Sequence, residues 1–230
     1  MPRIARVAPG GYVYHVLNRG NCRMSLFDKE GDYYAFVKLM DEGRSRTAMR
    51  ILGWCLMPNH WHMVLWPRYD GDLARFVGWV STTHVRRWRA HRDNVGEGHL
   101  YQGRYKSFIV QTDGHLLTVL RYVEQNPLRA GLTDATWKWP WSSAASRPAL
   151  VADDWPVQKP ADWATILESP VGEVEKECLR TSLRRGRPYG NESWVQQTAE
   201  QLSLWHTVRN PWRPRQDKGD IPPYATGNPR

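Results

Sequence analysis

One stretch of the chain places two imidazoles side by side and also dictates the local fold that holds them. Residues 49–57 are rich in strand-forming and apolar side chains, Pro58-Asn59 is a turn pair, and residues 60–66 resume the apolar pattern. That sequence reads as an antiparallel hairpin. Side chains two apart on a strand project to the same face, so His60 and His62 point together, with Val64 and Trp66 beyond them. Trp61, Met63 and Leu65 fall on the opposite face. Two imidazoles on a rigid strand can chelate one divalent cation. They are too few for a closed zinc site, which takes four protein ligands, so a completing ligand must come from elsewhere. The pattern is equally that of two packing or surface histidines. Histidines 15, 84, 91, 99, 115 and 206 have no such spacing and read as packing or surface residues.

Around the hairpin, residues 12–19 read as a strand ending at Gly20-Asn21. A helix is expected over 28–40, with Asp28 as N-cap and Tyr33, Tyr34, Phe36, Val37 and Met40 at helical spacing. Residues 72–91 carry a stripe of Leu73, Phe76, Val77, Val80, His84 and Trp88. Arg86, Arg87, Arg89 and Arg92 crowd its C-terminal end, where the helix dipole favours cations. A strand is expected over 104–111. Thr112 or Asp113 then caps a helix through Leu116, Leu117, Leu120 and Val123 that ends before Pro127. On it Tyr122 and Asn126 lie four apart and share a face. Tyr122 is either a nucleophile or an amphipathic core-edge tyrosine, and Asn126 either a ligand or a C-terminal cap.

Irregular alternation around hairpins predicts an α+β fold with a central antiparallel sheet flanked by helices, not a doubly wound parallel sheet. The expected organisation is a core over 1–150, a linker over 151–168, a basic helical extension over 169–208 and a disordered tail over 209–230. In the extension, Ser169-Pro170 opens a helix with Val171, Val174, Cys178, Leu179 and Leu183 on one face. Residues 184–190 break it, and Asn191 or Ser193 starts a last helix through Trp205.

Charge narrows the partner. The net charge is +9, and residues 1–150 hold 21 Lys and Arg against 12 Asp and Glu, whereas residues 151–230 hold 11 of each. An arginine-dominated excess confined to the core suits a polyanion, although solubility alone would account for it. No run of about 18 apolar residues argues for a membrane span. The first residues lack a signal-peptide core, and three scattered cysteines without CxxC spacing suit a reducing cytoplasm. There is no glycine-rich phosphate loop of the GxxxxGK[ST] kind, so no ATP-driven motor is expected. No heptad announces an interface, which favours a monomer.

Taken together, the motifs resemble the single-tyrosine HUH transposases, closest to the branch associated with repetitive extragenic palindromes (REPs). The resemblance is carried by Tyr14-His15-Val16-Leu17-Asn18-Arg19-Gly20, Met57-Pro58-Asn59-His60-Trp61-His62 and Tyr101-Gln102-Gly103-Arg104-Tyr105-Lys106-Ser107. Arg121-Tyr122, Asn126-Pro127-Leu128-Arg129-Ala130-Gly131 and Trp141-Ser142-Ser143 complete it. It implies a ferredoxin/RRM-like HUH endonuclease fold, with the histidine strand central and the tyrosine helix against it. By that pattern His60 and His62 are metal ligands, Tyr122 is the nucleophile, and Asn126 supplies the third ligand, with Gln125 competing. The implied cofactor is Mg²⁺ or Mn²⁺ and the substrate single-stranded or hairpin DNA, cut through a 5′-phosphotyrosine. Arg19, Arg86, Arg87, Arg104, Lys106 and Arg121 are phosphate-contact candidates, and Arg184, Arg185 and Arg187 form a turn expected to grip the duplex stem. Trp137, Trp139 and Trp141 alternate like a strand. Rival readings are a rolling-circle replication initiator and a hairpin-binding regulator without cleavage.

Overall fold

The turn at Pro58-Asn59 forms as its residue types dictate, and everything else is built on the hairpin it closes. The computed structural model describes residues 7–93, 96, 98–145 and 150–209. β1 (Val13–Arg19) pairs antiparallel with β3 (His60–Trp66), β3 with β2 (Arg50–Met57), and β1 with β4 (Lys106–Val110), giving the order β2-β3-β1-β4. The fold is thus α+β around a four-stranded antiparallel sheet, and the histidine strand is an inner one.

Alternation divides the core into two layers. Tyr14, Val16, Trp54, Leu56, Trp61, Met63 and Leu65 pack beneath α1 (Glu30–Thr47) and α2 (Asp72–His91). Val13, Leu52, Cys55, Val64, Phe108 and Val110 meet α3 (Gly114–Glu124) on the other face. α3 starts at Asp113, whose carboxylate accepts from the His115 amide at 2.8 Å. It buries Leu116, Val119, Leu120 and Val123 at helical spacing against the sheet. Gly53, at a bulge in β2, lets α3 come this close: a Cβ there would lie 2.5 Å from Leu120 Cδ2.

Helix α1 runs seven residues beyond the expected end, and Lys29, not Asp28, is its N-cap. The extension is polar but packs: a Cβ on Gly43 would sit 3.0 Å from both Phe76 and Val80 of α2, so glycine allows the close crossing. Asp28 is instead paired with Arg92 at 2.6 Å.

Residues after α3 cover both sheet edges. A short helix α4 (Asn126–Arg129) follows almost without a break, with Pro127 in its first turn, where a missing N–H costs nothing. Trp137 belongs to a 3-10 turn and is 62% exposed, so the tryptophan run is no strand; Trp141 is buried and its carbonyl accepts from the Leu56 amide on the β2 edge. A helix α5 (Trp163–Glu168) occupies the end of the segment expected as linker. In α6 (Glu173–Arg185) the buried face carries Leu179 and Ser182, while Val174 is 80% exposed and Cys178 exposed, a rotation from the expected stripe. Tyr189 then pairs with the β4 edge through Tyr189 N–H to Ile109 O and Gln111 N–H to Tyr189 O. Capping both edges removes the unpaired amides that would otherwise invite association. The last helix is two: α7 (Glu192–Gln201), N-capped by Asn191, and α8 (Trp205–Val208), separated at Ser203, which has a left-handed φ of 56°. Most of the expected tail, from residue 210, lies outside the described residues. No described helix is long and apolar enough to cross a membrane.

Candidate active site

His60 and His62 project from β3 toward the α3 side, with ring centroids 5.1 Å apart. Tyr122, near the C-terminal end of α3, brings its ring centroid to 6.3 Å from that of His62. The phenol and the imidazole pair therefore share one cleft at the end of the sheet.

Each imidazole of the pair is engaged through its Nδ1 edge. His60 Nδ1 lies 2.6 Å from Asn59 Oδ1, and Asn59 Nδ2 donates to the Arg23 carbonyl at 3.3 Å. The oxygen can only accept, so His60 carries its proton on Nδ1 and keeps a lone pair on Nε2. His62 Nδ1 lies 2.9 Å from Nε2 of His15, a fully buried histidine on β1. When His62 Nδ1 donates in that pair, its Nε2 is likewise free. Burial is the main reason that all three imidazoles are held neutral: His15 is pushed down to about 3, His60 to about 4, and His62 well below its usual value. Arg19 and Arg129 add to the effect at His60, and His15 and His60 add to it at His62. Neutral imidazoles with free Nε2 lone pairs are the protonation state that metal ligation requires.

His15 is the residue that sequence spacing missed. It sits on β1 opposite Val64, so its approach to His62 depends on the β1–β3 register, a long-range property. Arg129 is a second: it is three residues after Asn126 and seven after Tyr122, a helical spacing that could have drawn notice.

The two third-ligand candidates face different ways. Gln125 is buried, and its Nε2 donates to the carbonyls of Leu167 and Ser169 at 2.7 and 2.6 Å, tying α3 to α5. Asn126 Nδ2 donates to the Tyr122 and Val123 carbonyls at 3.3 and 3.2 Å, which leaves Oδ1 as its outward end; that oxygen accepts from Arg129 Nη2 at 2.7 Å. A carboxamide oxygen has a second lone pair for a cation. Among the described residues no group of three or more His, Cys, Asp or Glu side chains is arranged to hold a metal. Two imidazoles plus one carboxamide fit a hard or borderline divalent ion that keeps other positions open. Glu124, between these residues, faces inward: its carboxylate accepts from Ser143 Oγ at 2.5 Å and Trp163 Nε1 at 3.0 Å, and burial raises its proton affinity.

The basic candidates divide. Arg19, Arg104, Lys106 and Arg184 line one groove of about 560 Å³, joined by Arg180, which sequence reading had not singled out. Arg121 is paired with Glu175 of α6 at 3.2 Å, a strut between helices. Arg187 is paired with Glu192 at 2.9 Å, and Arg185 donates to the Arg209 carbonyl. Arg86 and Arg87 lie on α2, across the sheet from the cleft, and Arg87 is paired with Glu42 at 2.8 Å.

Acid should loosen the metal-free fold. Burial also lowers His84 to about 3, so four histidines have folded-state values below the ordinary 6.5. In the window between those values and 6.5 the unfolded chain binds more protons, so this stabilisation is complete above 6.5 and is lost as pH falls. Glu124 acts in the opposite direction, one group against four. Urea melts in chelator should lose on the order of 2 kcal/mol per histidine between about pH 7 and pH 5. Stability that stays flat over that interval would show the imidazoles are not buried neutral.

A family model described as "Transposase IS200 like" matches residues 10–126. A curated Haemophilus influenzae protein assigned by name to the REP-associated tyrosine transposases is 23% identical over 156 residues, spanning 64% of this chain and 87% of that protein. The solved structure of a REP-associated tyrosine transposase bound to a REP hairpin aligns with a TM-score of 0.49 at 18% identity, covering 70% of this chain and 96% of the other.

Proposed function

Because the chain belongs to the IS200-like transposase family, we propose that it is a metal-dependent single-strand DNA endonuclease and strand transferase. Its substrate is palindromic, REP-type hairpin DNA; the name of the Haemophilus influenzae relative, a REP-associated tyrosine transposase, supports the REP association alone. The observation that carries the proposal is convergence: the phenol of Tyr122 stands 6.3 Å, ring to ring, from His62, and Leu17 and Arg19, which pair with His62 and His60 across β1 and β3, line an arginine-rich groove.

Tyr122 Oη attacks phosphorus in line. The Oη–P bond forms as the P–O3′ bond breaks, the phenol's proton passes to solvent, and the departing O3′ takes up a proton to become a 3′-hydroxyl. The product is a 5′-phosphotyrosine, which conserves the ester so that another 3′-hydroxyl can reverse the step without ATP. His60 Nε2, His62 Nε2 and Asn126 Oδ1 would hold the divalent cation, Mg²⁺ or Mn²⁺. When bound there, that ion supplies positive charge to offset the phosphodiester's own. His15 and Asn59 act one step back, each fixing the Nδ1 edge of a ligating imidazole so that Nε2 faces the cleft. The groove of Arg19, Arg104, Lys106, Arg180 and Arg184 carries the unpaired strand's phosphates toward the tyrosine.

The ligand assignment has its own test. Asn126→Ala should weaken Mn²⁺ binding, titrated calorimetrically, on the order of 10- to 100-fold. Gln125→Ala should leave that affinity unchanged but lower stability by about 1–3 kcal/mol, because the Leu167 and Ser169 carbonyls lose their donor. The reverse pattern would transfer the ligand role to Gln125.

A further inference from the structure

Arg129 of α4 contacts both Tyr122, near the C-terminal end of α3, and Asn126, which opens α4. Its Cζ lies 4.0 Å from the centroid of the Tyr122 ring. Nη1 donates to the Tyr122 carbonyl at 3.0 Å, and Nη2 to Asn126 Oδ1 at 2.7 Å. Arg129 as a whole is solvent-exposed, while the atoms packed around the guanidinium partly desolvate it and lower its proton affinity. Arg121 and Arg187 each have a carboxylate partner, Glu175 and Glu192, whereas among the described residues Arg129 has none within ion-pair range. A guanidinium offers five N–H donors in a planar fork suited to phosphate. With one bond from each terminal nitrogen spent on the protein, three donors remain. An accessible cation with spare donors, stacked on the nucleophile and lacking an acidic partner, is poised for an anion that arrives with the substrate.

We propose that Arg129 contacts a non-bridging oxygen of the phosphate that Tyr122 attacks, and then of the phosphotyrosine. The inference rests on the tyrosine reading above and goes beyond it by assigning the group that meets the reacting phosphate from the protein side. Arg129 makes and breaks no covalent bond. The Oη–P and P–O3′ exchange proceeds as already balanced, and the guanidinium stays protonated throughout, matching the single negative charge that the phosphate retains.

The competing role is structural: Arg129 would merely orient the Tyr122 ring and the Asn126 amide. A substrate whose scissile phosphate is replaced by a methylphosphonate separates the two, because a neutral methyl group takes the place of the charged oxygen. With the phosphodiester hairpin and Mn²⁺, Arg129→Met should slow covalent adduct formation on the order of 100-fold. On the methylphosphonate the same substitution should cost less than about 5-fold, since the charge it reads is gone. Arg129→Lys, which keeps the cation, should recover to within about 10-fold of wild type on the phosphodiester. Equal losses on both substrates would overturn the proposal and leave Arg129 a positioning residue; no loss on either would overturn it outright.

A binding measurement keeps this separate from the nucleophile assignment. In chelator, on the Tyr122→Phe background, the protein should prefer the phosphodiester strand over the methylphosphonate strand, and Arg129→Met should erase that preference. If it persists, Arg129 does not read the phosphate. If wild type forms no adduct with either strand, the tyrosine reading falls, and this binding comparison still decides Arg129.

Discussion

Replacing Tyr122 with phenylalanine should abolish covalent attachment to hairpin DNA, a loss of roughly 10⁴-fold or more, while hairpin affinity changes less than about 3-fold. The expectation follows from where the side chain sits. Tyr122 lies on the flank of α3, where Arg129 stacks on its ring and bonds its carbonyl. Phenylalanine keeps both, so the fold and the cationic groove remain and only Oη is lost. A gel assay on labelled single-stranded palindrome with Mn²⁺ reads adduct and binding in parallel. A variant that still cleaved at more than a small fraction of the wild-type rate would show that another group attacks phosphorus. Loss of binding together with cleavage would mean that the phenol serves recognition.

The second large effect is on folding. Trp61 lies between the two histidines in sequence but on the opposite side of β3, completely buried, with Nε1 donating to Tyr101 Oη at 3.0 Å. That phenol is also 2.7 Å from His84 Nδ1, so one indole supports a buried polar chain as well as the α1–α2 layer. Trp61→Ala should cost about 3–5 kcal/mol, the range for deleting a large aromatic from a core. In a chain of this size that corresponds to a melting temperature lower by roughly 10 °C. Thermal melts of the metal-free protein read it. A change below about 1 kcal/mol would mean that the alternation along β3 does not divide core from cleft.

That alternation is the part of the molecule most legible in the sequence. Turn chemistry at Pro58-Asn59 and a period of two are local properties, so the hairpin, the shared face of His60 and His62, and the packing role of Trp61 and Met63 follow from a dozen residues. The antiparallel α+β architecture was legible for the same reason. What depended on register or close packing was not. His15 meets His62 only because Leu17 pairs with His62 and Arg19 with His60 across two strands distant in sequence. The extra length of α1 reflects Gly43 against α2, and α5 forms where composition alone suggested a linker. Arginine roles were the least legible, because counting charges does not reveal carboxylate partners. Arg121 and Arg187 carry such partners, and Arg19, Arg104 and Lys106 line an open groove.

The most direct measurement is to incubate the full chain with a 5′-extended single-stranded palindrome and Mn²⁺, digest the product, and map the DNA-linked peptide by mass spectrometry. The account predicts a single modified peptide bearing a 5′-phosphate ester on Tyr122, with a free 3′-hydroxyl on the released strand. Cleavage that leaves an unattached 5′-phosphate, or an adduct on any other side chain, would contradict it.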